Sequence, residues 1–279
     1  MTSPSPASGS TLSGVAATSA ANAWAVGDIT STAKALIVRW NGTAWKPVPT
    51  SIPTGSRLSG VAATSAGNAW AVGSFGSSTL IVHWNGTAWK KVPSPSPEGN
   101  ASLNGVAATS ASNAWAVGSY GSTDAAKTLI VHWNGTAWKK VTSPSPAPSS
   151  SLDGVAATSA GNAWAVGSTT NGNTLIERWN GTAWKKVTSP SPTPGDMLFA
   201  VAAISTTNAW AVGNTLSGAK TLILRWNGTA WKKVTSPSPT PGSSLNGVAA
   251  TSASNAWAVG TTASATKTLI LHWNGTAWK

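Results

Sequence analysis

The sequence predicts an all-β protein, a six-bladed β-propeller of four-stranded antiparallel blades whose ring closes where the N- and C-termini meet. Three observations carry the prediction. The chain repeats itself six times at blade length, each repeat holds four strand-like runs, and helix formers give way to Trp, Gly, Pro and β-branched residues. The first Trp of each repeat falls at Trp24, Trp70, Trp115, Trp164, Trp210 and Trp257, so the spacings are 46, 45, 49, 46 and 47 in a chain of 279 residues. Four short strands in about 45 residues is blade length for a propeller, whereas a β-helix needs shorter rungs and a helical solenoid needs helix formers.

Within the first repeat, "LSGVAATS" (12–19) supplies a strand rich in small residues. "NAWAVG" (22–27) and "ALIVRW" (35–40) follow, then Asn41-Gly42 interrupts and "TAWKPV" (43–48) resumes. Asn-Gly between apolar runs predicts a tight hairpin of type I′, since both residues tolerate positive φ. The Pro-Ser-Pro stretch after the fourth strand, as in "SPSP" at 143–146, cannot continue a ladder and reads as an extended connector. The first strand carries Gly14, Gly60, Gly105, Gly154 and Gly247, as the innermost strand must where backbones crowd an axis. The approximate repeats are 7–52, 53–98, 99–146, 147–192, 193–240, and 241–279 completed by residues 1–6. "MTSPSP" at the front matches the "VTSPSP" missing after "HWNGTAWK" at the back, so Met1 to Pro6 is expected to continue the last blade. Whole repeats without flanking sequence fit an excised or engineered chain. No second domain is expected.

The pattern Asn-Ala-Trp-Ala-Val-Gly followed by Leu-Ile-Val-His-Trp-Asn-Gly-Thr-Ala-Trp resembles bacterial β-propeller repeats that arose by recent amplification of a blade. The hairpin is also loosely similar to the Asp-box of sialidase-type propellers and to Kelch-like repeats, with Asn85 in place of the acid. The resemblance covers nearly the whole chain and implies the propeller class; it transfers no catalytic residue.

Composition narrows the chemistry. Eighteen Trp and 41% hydrophobic residues argue for a packed core, and the absence of Cys removes disulfides, thiolate nucleophiles and Cys-based metal sites. No signal peptide and no membrane-length apolar run is seen, although the parent protein could have been exported. The net charge of +12 raises the question of polyanions. Yet the basic residues fall as doublets on the last strand, Lys90-Lys91, Lys139-Lys140, Lys185-Lys186 and Lys232-Lys233. There they protect an exposed edge, with weak, salt-sensitive polyanion binding as a by-product and no aromatic platform beside them.

His83, His132 and His272 share one repeat position with Arg39, Arg178 and Arg225. Equivalent third-strand positions should lie about 15 Å apart and Arg is no metal ligand, so a structural hydrogen bond or Trp stacking is expected, with no metal and no cofactor. Asp28, Glu98, Asp124, Asp153, Glu177 and Asp196 recur at no shared position, no Ser sits in a nucleophile elbow, and the single Tyr is Tyr120; an enzyme is not expected. Trp24, Trp40, Trp45 and their counterparts read as blade-interface packing, with sugar stacking by an exposed Trp as the rival. Asn41, Asn85, Asn134, Asn180, Asn227 and Asn274 open Asn-Gly-Thr glycosylation patterns that turn chemistry already explains. The recurring polar candidates for a sugar site are Asn22, Asn41, Arg39 or His83 and their equivalents.

Three features break the symmetry. Glu177 stands where other repeats carry Val or Leu, and a lone buried carboxylate is costly. Phe199 and Ile204 replace polar residues or Thr. The loops between second and third strands vary most and carry Phe75 and Tyr120, which marks their face for a partner. The expected function is a monomeric, non-enzymatic interaction scaffold with a protein or glycan partner; the alternative is a multivalent lectin with sites between blades.

Overall fold

The computed structural model describes residues 4–170, 172–191, 194–215, 220–262 and 267–279. Blade 1 consists of β1 (Ser10–Ser19), β2 (Asn22–Ile29), β3 (Lys34–Trp40) and β4 (Trp45–Pro47). Blade 2 is β5 (Ser56–Ser65), β6 (Asn68–Phe75), β7 (Ser78–Trp84) and β8 (Trp89–Val92). Blade 3 is β9 (Ser102–Ser110), β10 (Asn113–Tyr120), β11 (Lys127–Trp133) and β12 (Trp138–Val141). Blade 4 is β13 (Ser150–Ser159), β14 (Asn162–Thr169), β15 (Thr174–Trp179) and β16 (Trp184–Val187). Blade 5 is β17 (Met197–Ala203), β18 (Ala209–Thr215), β19 (Lys220–Trp226) and β20 (Trp231–Val234). Blade 6 holds β21 (Ser244–Ser252), β22 (Asn255–Thr262) and β23 (Lys267–Trp273), with a fourth position opened by the Trp273–Trp278 bridge and paired backbone bonds between His272 and Lys279.

Each sheet is an antiparallel meander in chain order, and the protein is a six-bladed β-propeller. A single 3-10 turn, Thr123–Ala125, interrupts the β structure of the described residues, and no helix there is long and apolar enough to cross a membrane. The chain divides into two compact units, Met1–Ser122 with Leu129–Val141, and Thr123–Thr128 with Thr142–Lys279. The first contains blades 1 and 2 and most of blade 3; the second contains blades 4 to 6.

Two glycines, one present in all six blades and one in five, explain much of the repeat. Gly27 pairs with Leu12 across a register shift in β1, and a Cβ added at Gly27 would strike the Thr11 carbonyl. The same collision recurs at Gly73, Gly118, Gly167, Gly213 and Gly260, so the Ala-Val-Gly ending is a steric requirement of the bulge. The first strands of successive blades touch within each unit. A Cβ at Gly14 would meet the Gly60 Cα at 3.1 Å, and one at Gly154 the Ala200 Cα at 2.9 Å. This is the close approach that the sequence predicts for the innermost strand.

The core lies between blades. Trp24, Val26 and Ile37 of blade 1 pack on Leu58, Leu80 and Trp84 of blade 2, and equivalent clusters join blades 2 and 3, 4 and 5, and 5 and 6. Trp24, Trp70, Trp164 and Trp210 are at most 1% exposed. Each removes on the order of 5 kcal/mol worth of apolar surface from water.

The Asn-Gly hairpin differs from its prediction. Trp40 pairs directly with Trp45, leaving a four-residue loop rather than a two-residue type I′ turn. Only the glycine takes positive φ, 98° at Gly42. The Asn side chain shapes the loop instead: Asn41 Oδ1 accepts from the Thr43 and Ala44 amides at 3.0 and 2.9 Å and from the Thr43 hydroxyl at 2.9 Å. Such side-chain capping removes the need for a second left-handed residue. As for the expected extension of the last blade by residues 1–6, residues 1–3 lie outside the described residues and residues 4–6 belong to no strand.

Candidate binding surfaces

The polar residues that repeat in every blade form a joint rather than an open site. In blade 1, Asn22 Oδ1 accepts from Arg39 Nε and Nη2 at 3.2 and 2.9 Å, while Asn22 Nδ2 donates to Thr18 Oγ1 at 2.7 Å. The Arg39 guanidinium lies over Trp24, 4.9 Å from its ring centre, and over Trp84 of blade 2 at 5.4 Å. It also donates to the Ala66 carbonyl of blade 2 at 3.3 Å. Arg178 repeats this with Asn162 and Thr206, and over Trp164 and Trp226.

His83 performs the same task with one ring nitrogen 2.7 Å from Asn68 Oδ1 and its ring stacked on Trp70 at 4.1 Å. His132 and His272 follow suit on Trp115 and Trp257. Burial lowers the pKa of His83 and His132 below the ordinary imidazole value. The interchange of His and Arg is thus a shared flat donor between a Trp and an Asn, as the sequence predicts. Among the described residues no three His, Cys, Asp or Glu side chains converge as a metal set would.

Ile204 is where this joint fails, and the structure explains why. It occupies the position of Thr18, the acceptor for the Asn amide, and packs into the cluster between blades 5 and 6. Without that hydroxyl, Asn208 Oδ1 is buried with no hydrogen-bond partner among the described residues, and Arg225 keeps its place over Trp210 and Trp273 and donates to the Ala253 carbonyl at 3.4 Å. Phe199 is half-buried in β17, and nothing in its surroundings explains the change. Glu177 is fully buried, and neither carboxylate oxygen has a partner among the described residues. Desolvation pushes its pKa up to about 8. Arg178 next to it points to the other face, as strand geometry requires.

A clasp that sequence reasoning passed over ties each connector to its blade. The buried Thr79 at the start of β7 lies with its hydroxyl 2.7 Å from that of Ser94 and donates it to the Pro95 carbonyl at 2.9 Å, while its backbone amide donates to Ser96 Oγ at 3.1 Å. Thr128, Thr174 and Thr221 repeat it with the serines of their own Ser-Pro-Ser segments. Blade 1 has Ala35 and Ile52 at the corresponding positions, both packed against the apolar cluster. The signal was available: Thr and Ser recur together and vanish together.

Three surfaces remain for a ligand. The lysine doublets are exposed, as an outer edge requires, but the expectation that no aromatic accompanies them is wrong. Lys91 Nζ stands 5.5 Å from the Phe75 ring centre, and Lys140 Nζ lies 4.1 Å from that of Tyr120 with a 3.0 Å bond to its hydroxyl. The second surface is a groove between consecutive blades. One copy, about 370 Å³, is lined by Val187, Ser189 and Pro190 of one connector and Thr229 and Trp231 of the next hairpin. A second copy, about 390 Å³, repeats it with Val234, Ser236, Pro237, Thr276 and Trp278. These volumes suit a small ligand. The third is a hydroxyl-rich hollow of about 400 Å³ lined by Ser149, Ser151, Ser168, Thr169 and Thr170.

No protein-family profile matches the chain, and no curated protein matches it. Among solved structures, it resembles YCF48 from Cyanidioschyzon merolae at 18% identity, covering 99% of this chain and 86% of that one with a TM-score of 0.64. It resembles the fucose-specific lectin from Aleuria aurantia at 13% identity, over 95% of this chain and 93% of the lectin, TM-score 0.63. U3-55K aligns at 12% identity over 91% of this chain and 75% of that one, TM-score 0.61. At these identities the likeness is one of fold, and the fold is the β-propeller.

Proposed function

We propose that this chain is a non-enzymatic interaction scaffold whose binding face is formed by the loops between second and third strands. One observation carries the reading: the repeated set of Asn22, with Arg39 or His83 at the third-strand position, is engaged with a Trp inside the blades, so recognition falls to groups that differ between blades. Phe75 with Lys91 and Tyr120 with Lys140 are such groups, apolar surface capped by a cation on neighbouring blades. That combination suits a peptide with an apolar residue next to an acidic one. A propeller of similar fold has been solved bound to the D1 peptide, which supports peptide binding as a use of the architecture. The test is selection of a random peptide library on the purified protein and on the Phe75→Ser, Tyr120→Ser double variant. Enrichment of one acidic, aromatic-containing class on the parent alone supports the proposal. Equal enrichment on both, or none on either, defeats it.

A second reading, a multivalent lectin, is favoured by the paired inter-blade grooves, where hydroxyls and an indole share a cavity of sugar size. Repeated weak sites gain avidity. A glycan array at physiological and raised salt decides it. Salt-resistant binding to one neutral sugar supports the lectin, whereas binding only to sulfated glycans that fades with salt reports the lysine rim alone.

A further inference from the structure

The hydroxyl-rich hollow at blade 4 marks a place where the repeat changes at two facing positions together, and its whole lining belongs to the second compact unit. In blade 2 the equivalent place is covered by Phe75, whose ring lies 3.6 Å from where a Cβ on Gly55 would stand. Strand pairing sets Thr169 of blade 4 at the position of Phe75, and Ser149 at that of Gly55. A ring over bare backbone has become two hydroxyl side chains, and the place stands open as a hollow of about 400 Å³.

Its frame is fixed by hydrogen bonds that leave other hydroxyls free. Ser149 Oγ donates to the Thr123 carbonyl at 3.0 Å and the Ser150 amide to the Ala126 carbonyl at 2.9 Å, which pins the loop at 121–126 beside β13. Thr170 Oγ1 donates to the Ser149 carbonyl at 3.2 Å and ties the end of β14 to the same segment. Gly172 and Gly195, at φ of 65° and 95°, bring bare backbone together there: the Gly195 amide donates to the Gly172 carbonyl at 2.6 Å, and a Cβ on Gly172 would collide with the Gly195 nitrogen. Within this frame the hydroxyls of Thr123, Ser151, Ser168 and Thr169 have no hydrogen-bond partner among the described residues. Each of them can donate one bond and accept others.

Charge narrows the ligand further. No charged side chain lines the hollow. The charged residues within two positions of its lining are Asp124, Asp153 and Asp196, all of them acids in a chain of net charge +12. An anion would meet repulsion there and no compensating cation.

We propose that this hollow binds one uncharged saccharide unit. Four free hydroxyls that both donate and accept match a ligand whose surface does the same, and the volume lies in the range of small-ligand sites. The hollow shares no residue with the inter-blade grooves or with the Phe75 and Tyr120 anchors, so it stands or falls apart from both readings above.

The test is an NMR titration of the isotope-labelled full chain with glucose, galactose, mannose and N-acetylglucosamine up to about 50 mM, a range that brackets millimolar affinity. At least one of these sugars is expected to move the amides of residues 149–151, 168–170 and 195–197, with glucuronate binding about 10-fold more weakly. Thr169→Phe copies blade 2 and fills the hollow, whereas Ser151→Ala combined with Ser168→Ala keeps it open and removes two hydroxyls. Both are expected to weaken binding about 10-fold or more and to leave the melting curve unchanged. Thr188→Val with Thr235→Val alters the two grooves instead and should leave this binding intact. Four results overturn the proposal: no sugar moves these amides; glucuronate binds as tightly as the neutral sugars; binding survives both hollow variants; or binding is lost only in the groove variant, which would assign the sugar to the grooves.

Discussion

Replacing Glu177 with Leu should stabilise the protein, and the gain should grow with pH. The carboxyl is fully buried without a partner, and its pKa rises from 4.5 to about 8 through desolvation. Folding therefore holds a proton that the unfolded chain has released between these values. Because stability falls with pH wherever the native state binds more protons, the loss begins near pH 4.5 and continues until about pH 8. The slope is about 1.4 kcal/mol per pH unit, so by pH 7 the 2.5 units elapsed amount to about 3 kcal/mol. Leu is close in volume and already fills this position as Leu224 and Leu271, which are 0% and 3% exposed; little strain should offset the gain. Denaturant melts of both proteins from pH 4 to 9 measure the difference directly, and titrations common to both cancel. The expected curve is nearly flat near pH 4, reaches about 3 kcal/mol at pH 7 and levels off above about pH 8. At pH 7 this corresponds to roughly 5–10 °C in Tm. A difference that stays constant with pH, or a destabilised variant, would refute a lone neutralised carboxyl at this site.

His83 and His132 should show the opposite sign. Their pKa values are lowered by burial, so their share of stability is complete above the unfolded value near 6.5 and is lost as pH falls below it. NMR titration midpoints below 6.5 are expected, and a midpoint at or above it would contradict the packing. Thr174→Val removes the hydroxyl between Ser189 and the Pro190 carbonyl and should cost about 1–2 kcal/mol in chemical denaturation. The double change Thr174→Ala, Ser191→Ile copies Ala35 and Ile52 of blade 1 and should recover most of that loss; failure to recover would mean that the clasp and its apolar substitute are not equivalent. Asn134→Ala deletes the acceptor of the Thr136 and Ala137 amides and should lower stability by about 1 kcal/mol, read as a thermal shift.

The sequence by itself determined the blade. Periodicity set the number of repeats, alternation and Pro-Ser-Pro set the strands and connectors, and Gly14 marked the close approach. These are short-range consequences of sterics and hydrogen bonding, and six copies report them six times. It also anticipated that His83 and Arg39 share one structural task and that Glu177 lies in the core, because substitution between copies shows what a position tolerates. Only the tertiary structure decided the rest. The Asn41 side chain, not a type I′ backbone, shapes the hairpin; the clasp joins Thr79 to serines 15 and 17 residues away; and Lys91 and Lys140 fold onto Phe75 and Tyr120. Each depends on where a side chain ends after the sheet has twisted, which sequence spacing does not encode.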